Sequence, residues 1–152
     1  GESDFPGTQY IGIKTTCRID KMDEAMPDDF AKIELFIRNN EALATGAAYS
    51  IYHNWDIVKR QATYTACVGV TSIPEDLPED FVSGEIPATR VYTLRHTGKY
   101  DHLGNAWSTM MAMARGKEFK TKRGIHPWEQ YITNPQETES DAHITDVVFA
   151  IK

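Results

Sequence analysis

One order of elements, a strand, a helix and then a pair of strands, is legible twice along this chain of 152 residues, and that repetition constrains its fold more than any single motif. In the first half Tyr10–Cys17 alternates: Ile11, Ile13 and Thr15 share one face, and Tyr10, Gly12, Lys14 and Thr16 the other, as a strand requires. Pro27–Glu41 opens on Pro-Asp-Asp, which suits a first helical turn in both φ and charge. Its apolar positions Phe30, Ile33, Phe36 and Ile37 follow helical spacing and predict an amphipathic helix. After Gly46, Ala47–Trp55 and Gln61–Ile73 are rich in Tyr, Thr, Val and Ile and are divided by a short polar turn, which predicts two strands.

Pro74–Pro87, with three prolines, a glycine and five acids, is expected to be a connecting loop. The order then restarts. Ala88–Thr97 is predicted as a strand. Asp101–Arg115 is predicted as a helix with Leu103, Ala106, Trp107, Met110 and Met113 on one stripe, stopped by Gly116. His126–Thr133 and Ile144–Ile151 supply two more strands, with Asn134-Pro135 as turn chemistry between them. The expected fold is therefore α+β: tandem βαββ units at residues 8–73 and 87–152 with a linker at 74–86, a pseudo-twofold relation, and two helices packed on antiparallel sheet. Placing one unit on the other sets Tyr49-Ser50-Ile51-Tyr52 against Trp128-Glu129-Gln130-Tyr131. A crevice where such units join is a natural place for a ligand.

Composition narrows the function. With 41% apolar residues a chain of this length can bury a core without a metal or disulfide framework. A net charge of −6 disfavours nucleic acid, which needs clustered Lys and Arg. The one basic run, Lys117–Arg123, is broken by Glu118 and Phe119 and is expected to be a solvated helix end or loop. Cys17 and Cys67 lie in separate β-prone stretches; two buried thiols are expected, with a cross-strand disulfide as the alternative. No stretch approaches a membrane span and no signal peptide is visible, so a cytoplasmic location is expected. His53, His96, His102, His126 and His143 show no helix-spaced pairing and there is no Cys-x-x-Cys, so neither metal nor cofactor is expected. Nucleophile elbows, phosphate loops and dinucleotide fingerprints are absent from the sequence.

The second half carries specific motifs: Arg95-His96-Thr97-Gly98-Lys99-Tyr100, a helix bearing Ala106-Trp107, then Pro127-Trp128-Glu129-Gln130-Tyr131, followed by Asn134-Pro135 and Glu137-Thr138. This pattern resembles the GyrI-like effector-binding family, which includes gyrase-inhibitor-like proteins and the ligand-binding domains of multidrug-responsive and AraC-type regulators. The resemblance implies the two-unit βαββ fold and binding of lipophilic cations. It places the family's acidic pocket residue on Glu129 and its aromatic partner on Tyr131, with Tyr52 added by internal symmetry. It does not bring transcriptional regulation with it, because no DNA-reading module is visible in this chain.

On a strand Glu129 and Tyr131 face the same way, while Trp128 and Gln130 face the other. A carboxylate beside rings suits a ligand of diffuse positive charge, which gives up little hydration and gains from ring faces. Trp107, on the helix stripe, is expected in the core, where it can touch a ligand from beneath. Three functions stand: a module that sequesters or senses an aromatic or cationic small molecule; a hydrolase of strained cyclopropane-containing genotoxic compounds, with Glu129 as general base and Tyr131 orienting; and a ligand-free interaction domain of a larger protein, fused to or acting with another domain.

Overall fold

The computed structural model describes residues 1–100, 103–134 and 139–152, without the side chain of Ser140. Its elements in chain order are β1 (Glu2–Phe5), β2 (Thr8–Arg18), α1 (Met22–Arg38), β3 (Ala44–Asp56), β4 (Gln61–Val70), β5 (Val82–Ile86), β6 (Thr89–Thr97), α2 (Leu103–Arg115), β7 (Trp128–Tyr131) and β8 (Ile144–Ala150). This is an α+β fold with eight antiparallel strands and two helices among the described residues. The chain divides into two compact units, Gly7–Pro87 and Gly1–Pro6 with Ala88–Lys152.

In the Gly7–Pro87 unit the strands run β3-β4-β2-β5, every pair antiparallel. α1 covers one face, where Ile13, Ile33, Tyr64 and Ala66 form a buried cluster flanked by Met22, Met26, Phe30, Ile37 and Tyr52. The helix begins five residues earlier than Pro-Asp-Asp suggests, because Met22 and Met26 extend the apolar stripe backwards and Asp23 and Glu24 supply the acidic first turn. Pro27 lies inside α1; it removes one hydrogen bond near the start, where its exposed ring is tolerated.

The linker also departs from expectation, since its last third is strand β5, paired from Thr8↔Ile86 to Gly12↔Val82. Acids and flanking prolines suit a strand that pairs on one side only within its unit. Gly84 sits opposite Tyr10, whose hydroxyl lies 2.5 Å from where a Cβ would stand, so the ring lies across the glycine.

In the other unit the order is β1-β6-β8-β7. Strand β1, which periodicity does not reveal, is fixed by pairing: Gly1 and Thr93 exchange main-chain hydrogen bonds, and Arg90 holds Glu2 and Asp4 at 3.0 and 3.4 Å. α2 buries Leu103, Ala106 and Met110 against Phe119, Val147, Phe149 and Ile151. Strand β7 is shorter than expected. His126 and Pro127 lie outside it, and Ile132 and Thr133 instead donate to the carbonyl of Ile144. His102, the predicted start of the helix at Asp101, Pro135 and Glu137-Thr138 lie outside the described residues.

Candidate functional site

The site grows out of β7. Trp128 turns to one face, is fully buried, and meets Phe5 with ring centroids 5.0 Å apart. Glu129 and Tyr131 turn to the other face, as alternation demands. Glu129 is only 4% exposed. α2 brings Trp107 to it: one residue beyond buried Ala106 and three before buried Met110, Trp107 lies at the margin of the stripe, and its indole ring tilts against Phe149 at 5.6 Å.

The indole Nε1–H of Trp107 donates to Glu129 Oε2 at 2.6 Å, and the Tyr131 hydroxyl donates to Oε1 at 2.7 Å. Each carboxylate oxygen therefore takes a hydrogen bond from an aromatic side chain. These donors are neutral, so the two bonds stabilise the anion without cancelling its charge.

Tyr100 completes the aromatic cluster. Its ring meets Tyr131 edge-on at 6.1 Å and stacks on His143 at 4.6 Å with 24° between the planes. Burial, and then the negative charge of Glu129, push its hydroxyl above the ordinary tyrosine range. At 37% exposure it also keeps an edge in water. Across the ladder from Tyr131, the buried Thr145 hydroxyl has no hydrogen-bond partner among the described residues.

Glu129, Tyr131 and Trp107, singled out from sequence, are thus brought together, and Trp107 is a half-buried donor to the carboxylate rather than core alone. Tyr100 and His143 were missed as site residues. Tyr100 ends the Arg95–Tyr100 motif, but a loop tyrosine shows no periodicity that would aim it at a strand. Tyr52 belongs to the other unit, where it is half-buried and its ring lies edge-on to Trp55 at 6.4 Å.

Two surface depressions stand out, and neither is lined by Glu129. One, of about 360 Å³, lies among Arg18, Ile19, Asp20, Trp55, Ile57 and Arg60. The other, of about 280 Å³, borders Thr121–Ile125, Pro127, Phe149 and Ala150. No three metal-ligating side chains converge among the described residues. Cys17 and Cys67 are both free thiols. No helix among the described residues is long and apolar enough to cross a membrane.

Residues 3–152 match the GyrI-like small molecule binding domain, and the chain belongs to that family. No curated protein matches it significantly. Among solved structures it is similar to EcmrR in a complex with DNA (TM-score 0.79, 18% identity), covering 100% of this chain and 56% of that one. It is also similar to SAV2435 bound to tetraphenylphosphonium (TM-score 0.68, 12% identity, 100% and 93% covered). A third is a hydrolase from Listeria innocua (TM-score 0.56, 10% identity, 100% and 91% covered). At these identities the likeness establishes the fold. This chain spans just over half of the EcmrR chain.

Proposed function

We propose that this domain binds a lipophilic aromatic cation, with Glu129 as its counter-charge and the rings of Tyr131 and Trp107 as its walls. The observation that carries this reading is a carboxylate 4% exposed whose oxygens accept from an indole and a phenol. A diffuse cation gains from such an acid and from ring faces together, each face contributing about 0.5–2 kcal/mol depending on desolvation. Further support comes from the tetraphenylphosphonium held by SAV2435.

The two units are also proposed to be copies of one βαββ plan. In support, β3-β4-β2 and β7-β8-β6 run in equivalent order, and Tyr52↔Tyr64 and Tyr131↔Thr145 hold equivalent register positions. That equivalence is the basis for proposing Tyr52 as a ligand contact.

Titration with tetraphenylphosphonium, followed by calorimetry and by Trp fluorescence, tests the reading. Binding is expected, triphenylphosphine oxide is expected to bind more weakly, and Glu129→Gln is expected to weaken the cation by more than about tenfold, as for loss of a desolvated charge partner. Equal affinity for the neutral and cationic probes removes charge from the account; unchanged affinity in Glu129→Gln removes that residue.

A hydrolytic reading takes support from the Listeria innocua hydrolase of the same fold. Glu129 would then be the general base. Binding is favoured because both carboxylate oxygens already accept hydrogen bonds from the protein, with which an attacking water must compete.

A further inference from the structure

The loop after α2 concentrates positive charge in a chain whose net charge is −6. Lys120, Lys122, Arg123 and Lys152 are all exposed, and none of the four side chains has an acidic partner within ion-pair distance among the described residues. Other exposed arginines divide: Arg18 is paired with Asp20 and Arg90 with Glu2, whereas Arg60 and Arg115 have no ion pair among the described residues.

The loop is also held in place. Phe119 is buried and stacks on Tyr92 at 4.7 Å, which anchors its start. Lys122 N–H donates to the Ala150 carbonyl and Lys152 N–H to the Lys120 carbonyl, both at 2.9 Å, around a Thr121↔Ile151 bridge. Lys120, Lys122 and Lys152 therefore stand on paired backbone, with Arg123 in the turn that follows, rather than along a free tail, which lowers the ordering cost of meeting a partner.

Beside them is the depression of about 280 Å³, with Lys122 and Arg123 on its border and Ile125, Pro127 and Phe149 as apolar lining. We propose that this loop and depression dock an acidic peptide segment of a partner protein, with its carboxylates on the four cations and one apolar side chain in the hollow. The complementarity lies in this combination of unpaired positive charge and an apolar floor. A nucleic acid fits less well, because Phe149 is too buried to offer its face to a base. A lipid surface fits less well too: no large apolar side chain is exposed between residues 117 and 127.

The probe is a short fluorescein-labelled peptide of alternating glutamate and leucine, measured by fluorescence polarisation against this chain and its Lys122→Glu/Arg123→Glu and Arg123→Gln variants. Binding at low salt is expected, falling at least about tenfold in the double variant and in roughly 0.5 M salt, where screening is short-ranged. A peptide with glycine in place of leucine is expected to bind less tightly. Circular dichroism checks that the variants fold, and the milder Arg123→Gln keeps the test valid if the double variant does not. The proposal is overturned by no binding at low salt, by equal binding to folded variants, or by equal binding of the leucine-free peptide. Tighter binding to a single-stranded oligonucleotide or to phosphatidylserine vesicles also overturns it, as does salt-sensitive self-association without peptide binding. All of these readouts are independent of ligand binding at Glu129.

Discussion

Asp29 and Glu129 are both acids withdrawn from water, and each accepts a tyrosine hydroxyl at 2.7 Å, yet their surroundings differ in how completely they are sealed. Asp29 projects from α1 onto the strands, where Thr15 Oγ1 and Tyr64 Oη both donate to its Oδ2. Tyr64 is fully buried within the apolar cluster under the helix. Glu129 projects from a strand toward α2 and takes one donor on each oxygen, from rings that are themselves only half-buried. At the position that the proposed duplication aligns with Glu129, the Gly7–Pro87 unit has Ser50, which meets Met26 Sδ at 3.2 Å. Both acids tie a helix to a strand, but Asp29 does so inside a sealed apolar cluster and Glu129 among aromatic faces that are not sealed.

The largest expected effect tests that division. Asp29→Ala strands the Tyr64 and Thr15 hydroxyls in the core, and each charged hydrogen bond removed costs about 1.5–3 kcal/mol. Urea unfolding should show a loss of about 3 kcal/mol, at the scale of those bonds, while tetraphenylphosphonium affinity for the folded protein stays as it was. Glu129→Gln keeps an amide within reach of both donors, so its stability loss should be smaller, about 1–2 kcal/mol as two charged hydrogen bonds become neutral, with a large loss of affinity. A ligand loss in Asp29→Ala equal to that in Glu129→Gln would break the comparison.

A smaller effect appears at alkaline pH. Burial, then the hydrogen bond to Asp29, push the Tyr64 hydroxyl far above its ordinary value of 10.0, and burial pushes the Cys67 thiol far above 9.0. Folded-state values raised in this way stabilise fully below the unfolded values and lose their contribution as pH rises beyond them. Stability should therefore fall from about pH 9 upward, first through Cys67 and then through Tyr64. Tyr64→Phe should flatten the part above 10. An identical pH slope in Tyr64→Phe and in the parent chain would remove Tyr64 as its source.

What the sequence makes legible follows from the range of each interaction. Alternation on β2 and the helical stripe of α2 are local patterns, and both elements form where those patterns lie. Strand β1 carries no pattern because its stability is nonlocal, from Thr93 and Arg90 nearly ninety residues away in sequence. Strand β5 was concealed by the prolines and acids around it, whose meaning depends on its pairing only with β2 in its unit. The same distinction runs through the site: Glu129 and Tyr131 are two residues apart on a strand and share a face by geometry. Trp107 reaches them only through packing of α2, and Tyr100 only through a loop.

Tyr131 offers the finest test, because it has two separable parts. Its hydroxyl holds Glu129 at 2.7 Å, and its ring is the surface proposed to meet the ligand. Tyr131→Phe keeps the ring and drops a hydrogen bond that Glu129 accepts with or without ligand, so tetraphenylphosphonium affinity should change by no more than about threefold, less than that bond contributes to stability. Tyr131→Leu keeps apolar volume and removes the ring, so affinity should fall by about 1 kcal/mol, roughly fivefold, the scale of one cation–π contact. Calorimetry on both variants separates the contributions. If Phe and Leu both bind as the parent chain does, the ring makes no contact of its own and Glu129 alone attracts the cation; if both weaken alike by much more than about threefold, Tyr131 acts through its hydroxyl, by orienting the carboxylate.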